Sequence, residues 1–185
     1  SYPNDPITDW LESAFDDKHG WPYAITFHQD RLVFGGTRTI PGGIWMSHVG
    51  DYNNFDAGTG LDDEAISTTL LSKERQQICN LISSDKLQVL TSCGEWAISN
   101  KPITPSSMNI VQHTTVGSST AYNLAPQKIE GDTVFVSSTM REIRKLSLDT
   151  LGERYSADDL CAFSKHMINT PIDIAYNKVL KQLYI

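Results

Sequence analysis

Two stretches of this chain repeat each other at a fixed offset, and that repeat constrains the fold more than any single motif. Asp85-Lys86-Leu87-Gln88-Val89-Leu90 leads to Trp96-Ala97-Ile98, and Asp132-Thr133-Val134-Phe135-Val136 leads to Ile143-Arg144-Lys145-Leu146. Both members stand 47 residues apart (85 to 132, 96 to 143). A weaker copy begins at Asp30-Arg31-Leu32-Val33-Phe34 with Ile44-Trp45-Met46, and another at Asn177-Lys178-Val179-Leu180 with Leu183-Tyr184. The four starts, at 30, 85, 132 and 177, are separated by 55, 47 and 45 residues. A repeat of roughly 40 to 50 residues built from short strands is the signature of β-propeller blades. The expected fold is therefore mainly β: antiparallel four-stranded blades of an incomplete or interrupted β-propeller, starting near residues 23, 76, 126 and 171.

Local signals fill in the units. Thr8-Asp9-Trp10-Leu11 opens with a capping residue and acids, and its apolar side chains recur at helical spacing, so residues 1–20 read as a helical lead-in ended by Gly20-Trp21-Pro22. From Tyr23 the period becomes two, and residues 21–185 form the propeller-like region. The first unit predicts a hairpin across His28-Gln29-Asp30, a glycine-rich loop, a third strand at Ile44-Trp45-Met46, an irregular stretch over 51–60 and an outer strand over 65–70. The second predicts strands at 78–82, 87–90, 96–99 and 109–113. The third predicts strands near 127–129, 134–136 and 143–148 and leaves its fourth strand open. There Ser156-Ala157-Asp158-Asp159-Leu160 carries a helix-start pattern, so a short helix is expected around 156–166. The last unit, from Ile172, stops inside a predicted strand; an unpaired edge of that kind is normally covered or charged, and the chain is expected to be a fragment of a longer protein.

Composition narrows the function. Fifteen basic against 22 acidic side chains give a net charge of −7, which disfavours a generic phosphate-backbone surface. Cys79, Cys93 and Cys161 are an odd number without metal-ligand spacing and fit buried thiols better than a disulfide framework. With no long apolar run and no secretory pattern at its start, the sequence reads as soluble and free of membrane partners.

Motifs of chemistry are weak. Gly35-Gly36-Thr37-Arg38-Thr39-Ile40-Pro41-Gly42-Gly43 lacks the lysine and hydroxyl ending of a phosphate loop. Asp62-Asp63-Glu64 lacks the spacing of a calcium loop, and Cys161 with His166 has no second pair to complete a zinc site. His19, His28, His48 and His113 are scattered, and the hydroxyl-rich residues 114–120 do not make a nucleophile elbow. The recurring Asp30, Asp85 and Asp132 are read as turn residues that bond their own backbone rather than as a catalytic pair. Trp45 and Trp96, at equivalent third-strand positions, are read as core filling. No catalytic, cofactor-binding or metal-binding residue is assigned, and the chain is read as no enzyme.

Several blocks carry a resemblance. Gly20-Trp21-Pro22, Phe27-His28-Gln29-Asp30-Arg31-Leu32-Val33-Phe34-Gly35-Gly36-Thr37, Ile44-Trp45-Met46-Ser47 and Gly50-Asp51-Tyr52-Asn53-Asn54-Phe55 resemble the signature of tail proteins of short-tailed bacteriophages and prophages, the tail tubular protein B or nozzle type. The likeness continues in Gly117-Ser118-Ser119, Gly131-Asp132-Thr133-Val134-Phe135-Val136, Arg141-Glu142-Ile143-Arg144 and Tyr155-Ser156-Ala157-Asp158-Asp159-Leu160. The resemblance implies a virion structural protein of the tail, made in the bacterial cytoplasm. It would bind other tail proteins, self-associate into a ring and pass phage DNA through an acidic lumen without sequence-specific binding. The alternative is a carbohydrate-binding or carbohydrate-acting propeller, motivated by the recurring acids with Trp45, Trp96 and Tyr52.

Overall fold

A computed structural model describes residues 14–122, 124–149 and 154–185. The described chain is mainly β. Its first sheet is an antiparallel meander of β1 (Ala24–His28), β2 (Arg31–Gly35), β3 (Gly43–Met46) and β4 (Ile66–Thr69) in that order. The second repeats it with β5 (Ile78–Ser83), β6 (Leu87–Thr91), β7 (Gly94–Ser99) and β8 (Asn109–Thr114), and the third with β9 (Gln127–Ile129), β10 (Asp132–Val136), β11 (Ile143–Asp149) and β12 (Arg154–Asp159). A hairpin of β13 (Ala175–Asn177) and β14 (Gln182–Tyr184) follows. Among the described residues the sheets do not close into a ring.

Turn chemistry sets the register of the first and third meanders. Gln29 and Asp30 both take positive φ (48° and 54°), as do Glu130 and Gly131 (49° and 100°). Two consecutive left-handed residues are what a tight hairpin turn needs to match the right-handed twist of its strands. His28 then faces Arg31, and Ile129 faces Asp132.

The sheets stack face to face in chain order. Alternation sends Ala24, Val33, Ile44, Met46 and Ile66 to one side of the first sheet, where they meet Ile78, Leu81, Leu87, Val89, Trp96 and Ile98 of the second. The opposite side of the second sheet, with Leu90 and Ala97, meets Phe135, Leu146 and Tyr155 of the third. Val134 and Ile143 on the far side of the third meet Ile174 and the partly buried Leu183 of the hairpin. Polar pairs cross the seams as well: the Thr133 hydroxyl donates to Gln88 Oε1 at 2.6 Å, both residues being buried.

Three expectations are corrected. Residues 156–159 are not helical: Arg154–Asp159 is the fourth strand of the third sheet, paired with β11 from Arg144↔Asp159 to Asp149↔Arg154. Tyr155 is buried and Ser156 and Asp158 are exposed, so the period is two. Pairing to β11 and burial of Tyr155 against the second sheet outweigh the local capping signal of Ser156 and Asp159. The only helical turn among the described residues is the 3-10 turn Lys165–Met167, which has no side-chain cap and buries nothing. Secondly, the last hairpin turns at residues 178–181, with Lys181 at φ 51°, so Val179 and Leu180 are exposed turn residues rather than the start of a strand. Thirdly, the aspartates do not bond their own turns as expected: Asp85 pairs with Lys101 and Asp132 with Lys145 at 3.3 Å, while Asp30 uses its carbonyl, which accepts from Gly50 N at 2.8 Å. The expected lead-in helix over 8–15 lies almost wholly outside the described residues. Its described remainder is a turn closed by Gly20 N donating to Asp16 O at 2.7 Å.

Candidate functional site

The first sheet has one face packed on the second sheet and one face with no sheet against it among the described residues. Strand parity puts Ile25, Phe27, Leu32, Phe34 and Trp45 on that second face. Phe15 lies edge-on to Phe34 (5.4 Å between ring centres) and to Trp45 (5.2 Å), Phe55 stacks on Phe34 at 5.3 Å, and Tyr52 meets Phe27 at 5.1 Å. These rings bury Trp45 but leave Ile25 62% and Phe27 57% exposed, with Tyr52 beside them. The loop that carries Tyr52 and Phe55 is held by successive Asx turns: Asn53 N donates to Asp51, Asp56 N to Asn54 and Gly58 N to Asp56. Acids therefore rim an apolar, aromatic centre. Exposed apolar faces of this type mark contacts with proteins or apolar ligands.

The opposite end of the stack is also apolar outside. Val179 (90% exposed), Leu180 and Tyr184 of the hairpin face solvent, as do Phe163 and Met167 before it.

Trp45 and Trp96 occupy corresponding sides of their sheets. Trp96 lies on the side of the second sheet that packs on the first, and Trp45 on the side of the first sheet that carries Ile25 and Phe27. The open face is thus the counterpart of one that demonstrably packs against a sheet. Both indoles are buried, and Trp96 Nε1 donates to Gln76 Oε1 at 3.1 Å, so neither is placed to stack a sugar; Tyr52 alone of that set is exposed.

The remaining sequence candidates are dispersed. Asp30, Asp85 and Asp132 belong to three different sheets, and the latter two are tied to lysines. Glu64 folds back to accept from Gly60 N and from Leu61 N at 2.7 Å, and these bonds hold its carboxyl below the usual range; Asp62 and Asp63 stay exposed. Among the described residues no three His, Cys, Asp or Glu side chains are grouped to hold a metal. His19 pairs with Asp16 at 2.9 Å, His28 Nδ1 meets Ser83 Oγ at 2.9 Å, His48 contacts Asp56 O, and His113 accepts from Tyr155 N at 3.2 Å. His166 sits on the 3-10 turn and Cys161 at its approach, where Cys161 N is held by Asp159. All three cysteines are free; burial pushes the Cys79 thiol up to about 12. In the loop over 35–43 the amides are spent internally, Gly36 N on Gly43 O and Thr37 N on Ile40 O, which leaves no phosphate cradle. Residues 116–120 form a strap between sheets, with Ser118 N on Thr91 O and Ser119 N on Val136 O.

Two buried charged residues were not singled out from the sequence. Arg31, 1% exposed, donates to Ser47 O (2.7 Å), Glu64 O (2.6 Å) and Asp62 O (2.8 Å), and more distantly to Ile103 O. Burial pulls its pKa down, but a guanidinium remains charged at physiological pH. Glu95, also 1% exposed, accepts from the Thr114 hydroxyl through Oε2, and its Oε1 has no partner among the described residues. Strand parity is the signal that would have found both: Arg31 shares its side of β2 with Val33, and Glu95 its side of β7 with Ala97.

Compared with protein-family models, the chain matches none, and a comparison with curated proteins finds no match either.

Proposed function

We propose that this chain is a structural segment of a bacteriophage or prophage tail, three consecutive blades and part of a fourth from an incomplete β-propeller, whose working surfaces are protein contacts. One observation carries the reading. Three of the sequence blocks that resemble the tail tubular family, 27–37, 44–47 and 50–55, lock into one corner: Ser47 N and Leu32 O bond at 2.9 Å, Leu32 N donates to Ser47 Oγ, Gly50 N to Asp30 O, and Arg31 to Ser47 O. The shared residues are thus those that shape the first sheet and its loop, as a structural signature requires, and they make no catalytic arrangement.

The open aromatic face supports the same reading. Since its counterpart in the second sheet packs on a sheet, its natural occupant is a further β-sheet of the tail assembly. In this reading the protein is made in the bacterial cytoplasm and ends in the virion tail, where DNA passes through a ring without base-specific contact. The net charge of −7 favours sliding over adhesion. No described helix is long and apolar enough to cross a membrane. With Trp45 and Trp96 buried, no specific observation favours the carbohydrate reading.

The test is electron microscopy of the protein that carries this chain, with its mass in solution measured on the same sample. A symmetric ring with a hole wide enough for duplex DNA, about 20 Å judged from its groove dimensions, is the expected result. A monomer at high concentration that never accompanies tail particles would overturn it.

A further inference from the structure

A cleft of about 410 Å³ opens on the seam between the first and second sheets. Its walls come from four places in the sequence. Tyr23 precedes β1, Arg38 lies in the β2–β3 loop, Arg75 and Gln76 lead into β5, and Ser92 is in the β6–β7 turn. Backbone bonds fix the seam, with Ile78 N on Pro41 O and Ser92 N on Gln77 O, both at 2.9 Å.

The charge of this cleft runs against the rest of the molecule. In a chain of net charge −7 it is lined by Arg38 and Arg75 and, among the described residues, by no carboxylate. Glu74, next to Arg75 in sequence, lines a separate depression with Lys73. Arg38 is held in place by donating through one nitrogen to Asp17 O and Lys18 O at 2.7 and 2.6 Å, and its other nitrogens have no partner among the described residues. The Arg75 guanidinium has no partner among the described residues.

Gln76 forms the buried floor of the cleft. It is 5% exposed, and its Oε1 accepts from both the Thr91 hydroxyl (2.9 Å) and Trp96 Nε1 (3.1 Å). The Thr91 proton is shared with Gly94 O at 2.7 Å, but the indole N–H can only donate, so it fixes the amide orientation and makes Nε2 a donor with no acceptor among the described residues. Nε2 is shielded from solvent, so it stands behind the cleft and does not itself reach a group bound there.

The geometry points to an oxyanion site here, for a phosphate group either free or carried on a small molecule. Two arginines and the Ser92 hydroxyl, from three separate segments, supply the donors, which suits a tetrahedral anion with four acceptor oxygens better than a planar carboxylate with two. Tyr23, 41% exposed at the rim, can stack a ring attached to that phosphate. The site is independent of the tail reading and stands or falls separately from it.

Inorganic phosphate and phenyl phosphate, each titrated calorimetrically at low ionic strength against chloride of equal ionic strength, test it. Arg75→Gln removes an exposed, unpartnered group and leaves the fold intact; it weakens phosphate by about tenfold, the effect of one charge-assisted bond. Arg154→Gln, an exposed arginine on β12, leaves it unchanged. Phenyl phosphate binding more tightly than phosphate, with the gain lost in Tyr23→Ala, assigns a ring-bearing monoester; equal affinities assign the free anion. Phosphate binding no tighter than chloride, or equal losses in Arg75→Gln and Arg154→Gln, would overturn the proposal, since diffuse charge would then account for any effect.

Discussion

Replacing Arg31 by Met keeps much of the side-chain volume and removes the guanidinium from the loop it holds. Three backbone oxygens, those of Ser47, Asp62 and Glu64, lose donors at 2.6 to 2.8 Å. Each hydrogen bond to a charged group contributes about 1.5–3 kcal/mol, and a carbonyl left buried without a donor costs about 1–3 kcal/mol. Against this stands the relief of no longer burying a charge that makes no ion pair among the described residues and feels only Asp63 nearby, worth several kcal/mol. The 60–64 loop is exposed around Asp62, so water can reach part of what the guanidinium leaves. The balance is a destabilisation of about 3 kcal/mol. With a urea m-value of about 2 kcal/mol/M, the midpoint falls by about 1.5 M in a denaturation followed by circular dichroism. Local loosening should precede global loss: the amides of Gly60 and Leu61, shielded by the Glu64 carboxylate, exchange faster in the variant under native conditions. A midpoint shifted by less than about 0.3 M, or raised, would refute the reasoning by showing that the desolvation of Arg31 cancels its bonds.

Glu95 makes a prediction of pH dependence. Burial raises its carboxyl pKa, against the lowering pull of the Thr114 hydroxyl and the amides of Val116 and Gly117, so the folded chain holds a proton that the unfolded chain releases at the ordinary value of 4.5. Its contribution to stability therefore declines as pH rises above that value, and the melting temperature of Glu95→Gln should fall less than that of the parent between about pH 4.5 and about pH 7.5. Parallel profiles would show that Glu95 is ionised in the folded state. For the thiols, a disulfide reagent near neutral pH should label the partly exposed Cys93 and Cys161 and spare Cys79, which reacts only when denaturant opens the seam; prompt labelling of all three would contradict its burial.

The strands of the first two units are legible in the sequence because their apolar residues alternate and turn-forming residues separate them. Gly131 and Asp30 announce hairpins on local grounds alone. The third unit is harder to read at its fourth strand, where Ser156 and Asp159 look like helix-start residues. What decides that segment is the partner β11 and the seam into which Tyr155 drops, and neither is local. The final turn misleads for a related reason: Val179 and Leu180 are apolar enough to read as strand, yet Asn177 caps them with its side chain and sends them to solvent. For the sites, residue type alone points at Asp30, Asp85 and Asp132 because they recur. The charges most committed to the architecture, Arg31 and Glu95, do not recur and are visible only through strand parity.

Each cluster of buried apolar side chains draws on two consecutive units and no more. A chain organised this way has no common centre whose loss brings everything down; its cohesion is a series of junctions, each answerable only to its neighbours. Damage to the Phe135 and Leu146 junction therefore weakens the grip of the third sheet on the second, while the junction between the first and second keeps its own contacts. The same serial logic lets a protein of this kind grow or shrink by whole units, because adding a sheet at the open aromatic face creates one new junction and disturbs none of the others.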